Sequence, residues 1–572
     1  MVHVVQGGMD LVRIGRRGLL ASAAAAGFVN PRMAVAAQGF DARTAAGSGE
    51  ADMSVGAFGR KTPARGRSGL AITGHPWATE VAVGILREGG NACDALLAAA
   101  AAQTVIEPHL TTITGCMSMM YHDAATGRTR YLNGNVNAPR ALAPVLTEAD
   151  TATGRMACVP GFWAAFEAAA STFGTMPVAR LLKPAIGFAR DGIACHPSLW
   201  GEVYSRQAML ARTAEGRSIF MPRRAILNPG EKLVQPGAAE TLQRLGEEGS
   251  RWFYTGDFAK DFCATVNAAG GALTPEEFAA YQVRWEDPIK GQYRDLEILG
   301  SVPPDTGGLH LIEMLNLVEL MDIRKNGPAS ESPETLKRMM LAARDVLVTG
   351  MTYRDPRSSP LDVERIASKA YAAERYAKIL KGAAPAPGAA PHGPGSCHLT
   401  VIDRAGNIAT ALHSTLSLPW ANGLFVHGVS ICGPGNHFLN TMPKPGDRVT
   451  VLICPSMMFR GGRPFLAGGS PSTSLICNLV QNITNIVDFS MPLAESIERP
   501  SFGGLVDGQY RMTVETDLGD PLIGAVEAAG ILVERVNPWS SRHGAFEAIH
   551  VSENGEVFAC GDPRRTSAAL AV

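Results

Sequence analysis

Three residue types able to carry acyl chemistry stand side by side at Ser396-Cys397-His398, a hydroxyl, a thiol and an imidazole, directly after Gly395. Residues 381–395 before them (KGAAPAPGAAPHGPG) form a Pro/Gly/Ala stretch that cannot be the interior of a helix or strand. A flexible segment ending in glycine, followed at once by a nucleophilic side chain and a strand, suits a nucleophile made by cutting the chain. The same pattern also fits a loop entering a strand, and composition leaves both open. Other hydrolytic arrangements have less support. There is no H-E-x-x-H pair, the thirteen histidines are dispersed, and no G-x-S-x-G elbow occurs. The ten cysteines contain no C-x-x-C pair and no Cys/His set at zinc-ligand spacing, so neither a metal nor another cofactor is implied. Free buried thiols are expected.

The elements that must position Ser396 are legible on both sides of it. Residues 399–402 and 408–412 alternate as two strands around Asp403-Arg404-Ala405-Gly406-Asn407, a turn whose Gly and Asn tolerate left-handed backbone. Upstream, residues 75–90 carry Ala78, Val81, Ala82, Ile85 and Leu86 at helical spacing and stop at Gly89-Gly90. Asn91 then opens a second apolar helix that ends near Glu107-Pro108. Strands are expected at 117–123 and 129–132, helices at 161–172, 178–191 and 334–350, and a short strand at 296–302. Beyond the nucleophile region, strands are expected at 449–453, 465–467, 548–551 and 557–559, with a helix over 474–489. Structure is expected to begin near Gly69, after a Gly/Ala/Arg-rich arm over 38–68.

With 572 residues, 46% of them hydrophobic, the chain can bury a large core. The 52 basic and 53 acidic residues nearly cancel, so no strong field gathers nucleic acid or anionic lipid. Small molecules or the chain's own copies are the partners to expect. Arg16-Arg17, an apolar stretch over 21–29 and Ala34-Val35-Ala36-Ala37 have the order of a twin-arginine export signal, which predicts a leader over 1–37 and a periplasmic address. No other segment has the apolar length of a membrane span.

The chain resembles the gamma-glutamyltranspeptidases and their acylase relatives from about Gly69 to Arg565. The resemblance is carried by GLAITGHPWATEVAVGILREGGNACDALLAAA, EPH at 107–109, VPGFWAAFEAAASTFGTMP, FYTGDFAKDF, GGALTPEEFAAYQV, PPDTGG at 303–308, SCHLTVIDRAGNIAT and GDPRR at 561–565. It implies an α+β fold, a four-layer αββα sandwich of the N-terminal-nucleophile hydrolase type, made as one chain and cut into two. Those would be a helix-rich large chain (38–395) and a small chain (396–572), paired as a heterodimer that can itself dimerise.

The family's nucleophilic Thr aligns with Ser396. Attack of its hydroxyl on the Gly395 carbonyl, acyl shift and hydrolysis would free a Ser396 amine, with a reference pKa of roughly 7.7–8.0, to act as base for its own hydroxyl. Cys397 is the rival nucleophile, but alternation points it to the other face. His398, two residues along, reads as a packed residue.

Ser414 stands where the family has a hydroxyl supporting the nucleophile. Ser472 and Thr473, in Gly468-Gly469-Ser470-Pro471-Ser472-Thr473-Ser474, stand where two glycines offer backbone N–H groups to the oxyanion. The family's glutamyl-binding set is largely replaced: its carboxylate-clamping Arg aligns with Asn135, its serine pair with Val451 and Leu452, and an Asn with Leu416. The loop Cys432-Gly433-Pro434-Gly435-Asn436 lacks the family's acid. A buried carboxylate would lose its charge partner there, so the resemblance implies a neutral or aromatic amide, with Leu416, Leu418, Trp420 and Val451 as candidate walls. The expected function is self-processing hydrolysis of a non-peptide linear amide through acyl-Ser396. A gamma-glutamyl-type acyltransferase and an uncut relative that only binds a small molecule are the alternatives.

Overall fold

Strands with apolar side chains on both faces must be covered on both sides, and most strands here are of that kind. In the computed structural model, which describes residues 58–380, 396–440 and 442–572, they form two seven-stranded sheets. The expected signal segment 1–37, the arm up to 57 and the linker with Gly395 lie outside the described residues.

The first sheet runs, in spatial order, Ala568–Ala571, Gly69–Thr73, Ser396–Asp403, Ile408–Ser414, Cys116–Asp123, Arg128–Gly134 and Arg284–Glu286. The second runs Ala64–Gly66, Val557–Ala559, Glu547–Val551, Arg463–Gly469, Ser456–Arg460, Leu296–Gly300 and Ile289–Tyr293. Neighbours in both are antiparallel. Each sheet mixes strands from before and after residue 395, so a cut there would leave two interleaved chains.

Three apolar layers follow from the alternation. Ile72, Met120, Ile402, Met457 and Ile549 meet between the sheets. On the outer face of the first sheet Met119, Leu399 and Val401 pack on helices Pro76–Arg87, Ala92–Ile106 and Phe162–Phe173. On the outer face of the second, Ile298, Met458 and Leu466 pack on helices Gly307–Glu319, Pro333–Gly350 and Leu475–Phe489. The order helix, sheet, sheet, helix is the expected four-layer sandwich. Helix Ala92–Ile106 is the least amphipathic of these because it is enclosed all round, and its alanines allow close approach. Its start is fixed by a capping box between Asn91 and Asp94.

The expected helices and most of the expected strands appear within a few residues; three of the differences concern the two main sheets and the segment beside them. The first strand is Ala64–Gly66, ahead of Gly69, paired with Val557–Ala559. Strand Ile289–Tyr293 lies in a region read as mainly helical; it is only five residues long, alternating in burial, and Gly291 sets its backbone close to the Ile312 side chain. Residues 449–453 are extended but form no strand. Val451 pairs with Pro304 and Thr306, and prolines 303 and 304 have no N–H to continue a ladder.

Candidate active site

Ser396 opens its strand and Ser414 closes the next one, and the antiparallel register sets them opposite each other. Their Oγ atoms are 3.0 Å apart. Ser414 Oγ also accepts the Leu416 N–H at 2.8 Å, a bond made by a turn in which Leu416 takes a left-handed φ of 52°. The backbone behind them is tight: a Cβ on Gly115 would fall 2.1 Å from the Ser414 carbonyl oxygen, so only glycine fits.

Alternation sorts the other reactive groups. Ser396, His398 and Thr400 face the second sheet, where Thr400 Oγ1 donates to the Glu547 carbonyl at 3.0 Å and the His398 ring packs on Gly469. Cys397 faces the helices, with its Sγ 3.5 Å from Glu107 Oε2. Burial, reinforced by Glu107 and Glu547, pushes its thiol well up, which disfavours the thiolate a nucleophile needs. Burial also pushes His398 down to about 3, and its Nε2 pairs with Thr410 Oγ1 at 3.2 Å. His413, likewise lowered to about 3 by burial, is held by Thr111 and Gln103.

The Ser470–Ser474 loop leaves strand Arg463–Gly469 at the glycine that packs on His398, two residues from Ser396. Ser472 holds a φ of 85°, a left-handed value natural to the glycine this position has in the resemblance. Its Oγ donates to the Arg542 carbonyl at 3.2 Å and accepts the Ser474 N–H at 3.1 Å. Ser474 caps helix Leu475–Phe489, whose positive end therefore follows the loop. The side chain at 472 is thus compatible with a glycine-like backbone path.

The residues aligned with the glutamyl-binding set do not form one wall. Leu416 and Val451 join an apolar cluster with Cys116, Val136, Leu412 and Val449. Leu452 turns the other way, toward the outer layer of the second sheet, as consecutive residues of an extended segment must. Leu418 is partly exposed, and Trp420 packs on Phe220 in the outer helix layer of the first sheet. Asn135 is fully buried. It donates one amide proton to Asp305 Oδ1 at 2.9 Å and the other to the Val449 carbonyl at 2.8 Å, so both its N–H bonds are engaged within the protein. Asp305 takes two further donors, Ser118 Oγ at 2.6 Å and Tyr131 Oη at 2.5 Å, and burial raises its carboxyl to about 6.

The family model for gamma-glutamyltranspeptidase matches residues 78–572. The chain belongs to the gamma-glutamyltranspeptidase family. It is an enzyme of the N-terminal-nucleophile amidohydrolase class. Acylase ACY 1 proenzyme of Pseudomonas sp. (strain SE83) is 32% identical over 473 residues, 77% of this chain and 83% of that one. Glutathione hydrolase proenzyme of Escherichia coli (strain K12) is 28% identical over 548 residues, 88% of this chain and 91% of that one. Among solved structures, cephalosporin acylase from Bacillus halodurans superposes with a TM-score of 0.79 over 94% of this chain and 100% of that one, at 23% identity, which supports the fold.

Within this family member, the structure adds groups that sequence reasoning gave no role. Glu107 sits in the EPH block and Asp305 in PPDTGG, both noticed only as pattern. Glu107, Glu547 and Gln103 converge around Gly74, at the end of the strand beside Ser396–Asp403. Burial raises both carboxyls, Glu547 the more strongly, with Glu107 adding to it and Arg565 opposing. Among the described residues, neither carboxyl oxygen of Glu547 has a side-chain hydrogen-bond partner. A carboxyl so placed is more stable protonated. A buried Glu standing two positions along a strand from other apolar residues was the available sequence signal, at Phe546-Glu547-Ala548-Ile549.

Proposed function

We propose that the chain cuts itself between Gly395 and Ser396 and then hydrolyses a linear, uncharged, non-peptide amide through an ester on Ser396. The reading is carried by one observation, the 3.0 Å hydroxyl pair Ser396–Ser414 at the start of the strand that follows the Gly-ended linker. In the first stage Ser396 Oγ adds to the Gly395 carbonyl, the C–N bond breaks, and water hydrolyses the resulting ester to leave a free Ser396 amine. That amine then takes the proton of its own hydroxyl as Oγ attacks the substrate amide. Ser414, fixed by the Leu416 N–H, donates to the nucleophile oxygen and steadies it. The backbone N–H groups of Ser472 and Thr473 are assigned to the oxyanion. The amine product departs, and water attacks the acyl-Ser396 with the Ser396 amine again as base.

Substrate charge follows from the aligned positions. Asn135 is bound to Asp305, and Leu416 and Val451 lie in an apolar cluster, so among the described residues these aligned positions present no cation to a substrate carboxylate. Arg448, the buried cation beside this cluster, gives its N–H groups to Asn133, Asn137 and the Gln282 carbonyl. The relatives named as acylases, 32% and 31% identical, support acyl transfer as the reaction class. Export through the twin-arginine leader is part of the same proposal and rests on the leader alone; cell fractionation of an Arg16→Lys, Arg17→Lys variant tests it.

A denaturing gel is the first test. Two fragments meeting at 395/396 in wild type and one intact band in Ser396→Ala are expected; an intact wild-type band overturns self-cleavage. The second test is a panel of aryl and alkyl amides set against a gamma-glutamyl anilide, with mass detection of the acyl group. Acyl mass on the 396–572 fragment from neutral amides is expected. Preference for the gamma-glutamyl compound overturns the substrate class, and added amines that capture the acyl group would turn hydrolysis into transfer.

A further inference from the structure

A chain of hydrogen bonds runs beneath the two serines, on the helix side of the first sheet. His413 precedes Ser414 and Cys397 follows Ser396, and the two are register partners. Alternation turns both away from the hydroxyl pair and toward helix Ala92–Ile106. There His413 Nδ1 pairs with Thr111 Oγ1 at 2.6 Å and Nε2 with Gln103 Oε1 at 3.0 Å. Gln103 Nε2 donates to Glu107 Oε2 at 2.9 Å, and Cys397 Sγ donates to the same oxygen at 3.5 Å. Gln103 Oε1 can only accept, so His413 carries its proton on Nε2 and takes the Thr111 hydroxyl proton on Nδ1. Every donor direction in the chain therefore ends on one acceptor, Glu107.

We infer that Glu107 is a positioning residue which, through Gln103 and His413 on one side and Cys397 on the other, holds Ser396 and Ser414 in register for self-cleavage and for turnover. This rests on Ser396 being the nucleophile. Glu107 touches no reacting atom; it ties together the residues flanking both hydroxyls. What the brace requires of it is an acceptor, and charge is not needed. Thr566 Oγ1 gives its proton to the Gly74 carbonyl and stands 3.5 Å from Glu107 Oε1, where it can receive an N–H. An amide at 107 therefore satisfies every partner with its oxygen toward Gln103 and Cys397 and its nitrogen toward Thr566. The titratable and charged groups around this carboxyl are Cys397, Glu547 and Arg565, with His413 one link away.

The test uses the full chain and two readouts, the rate of self-cleavage, which needs no substrate, and kcat and KM on the aryl amide that wild type turns over fastest. Glu107→Gln is expected to stay within about threefold of wild type on both. Gln103→Leu and Glu107→Leu are expected to lose roughly tenfold or more in cleavage rate and kcat, with KM within about twofold, as fits one misplaced buried hydrogen bond. Gln103→Glu sets a second carboxyl against Glu107 and works only when the two share a proton, so its kcat should fall with rising pH relative to wild type. All assays run well below each variant's melting midpoint. Wild-type rates in Gln103→Leu, a wild-type pH profile in Gln103→Glu, or equal losses in Glu107→Gln and Glu107→Leu overturn the brace while leaving Ser396 as nucleophile. A wild type that stays uncut and takes no acyl group overturns both.

Discussion

Ser396 and Ser414 face each other across an antiparallel pair with their hydroxyl oxygens 3.0 Å apart, and the second is held by the Leu416 N–H. That arrangement fixes the Ser414 oxygen beside the nucleophile, where either hydroxyl can donate to the other. Ser414→Ala should therefore slow acylation by roughly 10- to 100-fold, the range of one lost buried hydrogen bond, and leave the Leu416 N–H without its acceptor. Ser414→Thr should keep most of the rate, because the hydroxyl survives. Single-turnover kinetics with mass detection of the acyl-enzyme measures this. Equal rates in the alanine variant and wild type would remove Ser414 from the mechanism.

Ser472 adopts a φ of 85°, which costs an L-residue about 1–2 kcal/mol, and its Oγ offsets part of that through Ser474 and Arg542. Ser472→Gly should be near neutral, losing about 1 kcal/mol of hydrogen bonding and regaining a similar strain. Ser472→Ala should lose about 1–2 kcal/mol, and Ser472→Val more, since a branched Cβ tolerates this region least. Urea unfolding of the three variants gives the order, and a valine variant as stable as glycine would refute the strain argument.

Glu547 predicts a pH signature. Burial, Glu107 and Asp562 raise its folded pKa well above an unfolded value of about 4.3. The folded state then holds a proton that the unfolded state releases, so the stability tied to Glu547 is fully present below about pH 4.3 and is lost as pH rises toward the folded value. Glu547→Gln keeps the shape and removes the titration. Its stability relative to wild type should grow as pH rises above about 4.3 toward the folded value, read from urea midpoints at steps between pH 5 and pH 8. A constant difference across that range would show that Glu547 is not held protonated.

How far the sequence speaks for the site depends on how local each relationship is. The pair of strands around Ser396 was legible because alternation and the turn Asp403-Arg404-Ala405-Gly406-Asn407 act over a few residues, and the structure forms Ser396–Asp403 and Ile408–Ser414 around it. The capped helix Ala92–Ile106 was legible for the same reason. Residues 449–453 read as a strand because valines and isoleucine favour one, yet their partner is the Pro303-Pro304 segment, whose missing donors no local pattern at 449–453 announces. Alternation in that same extended segment separates Val451 from Leu452, although alignment had placed both at one pocket. Glu107 has a local partner in Gln103, but its link to Cys397, like those of Asp305 to Ser118, Tyr131 and Asn135, joins residues far apart along the chain.

Asp305 also sets a limit on changing substrate preference. The simplest attempt to admit a gamma-glutamyl group is Asn135→Arg, which restores the cation that the resemblance implies at this position. In this structure the amide it replaces points at Asp305 Oδ1, 2.9 Å away, so the guanidinium would pair with that carboxylate and not with substrate. It would also overfill a fully buried position, at a cost of about 1–3 kcal/mol. Asn135→Arg alone should therefore leave kcat/KM on a gamma-glutamyl anilide at the wild-type level and lower the melting midpoint. Combining it with Asp305→Ser removes the internal partner while keeping a hydroxyl for Ser118 and Tyr131. The double variant should recover stability over the single one and raise kcat/KM on the anionic substrate by roughly tenfold or more, the worth of one charge-assisted contact. A gain from Asn135→Arg alone would mean that Asp305 does not compete for the new cation.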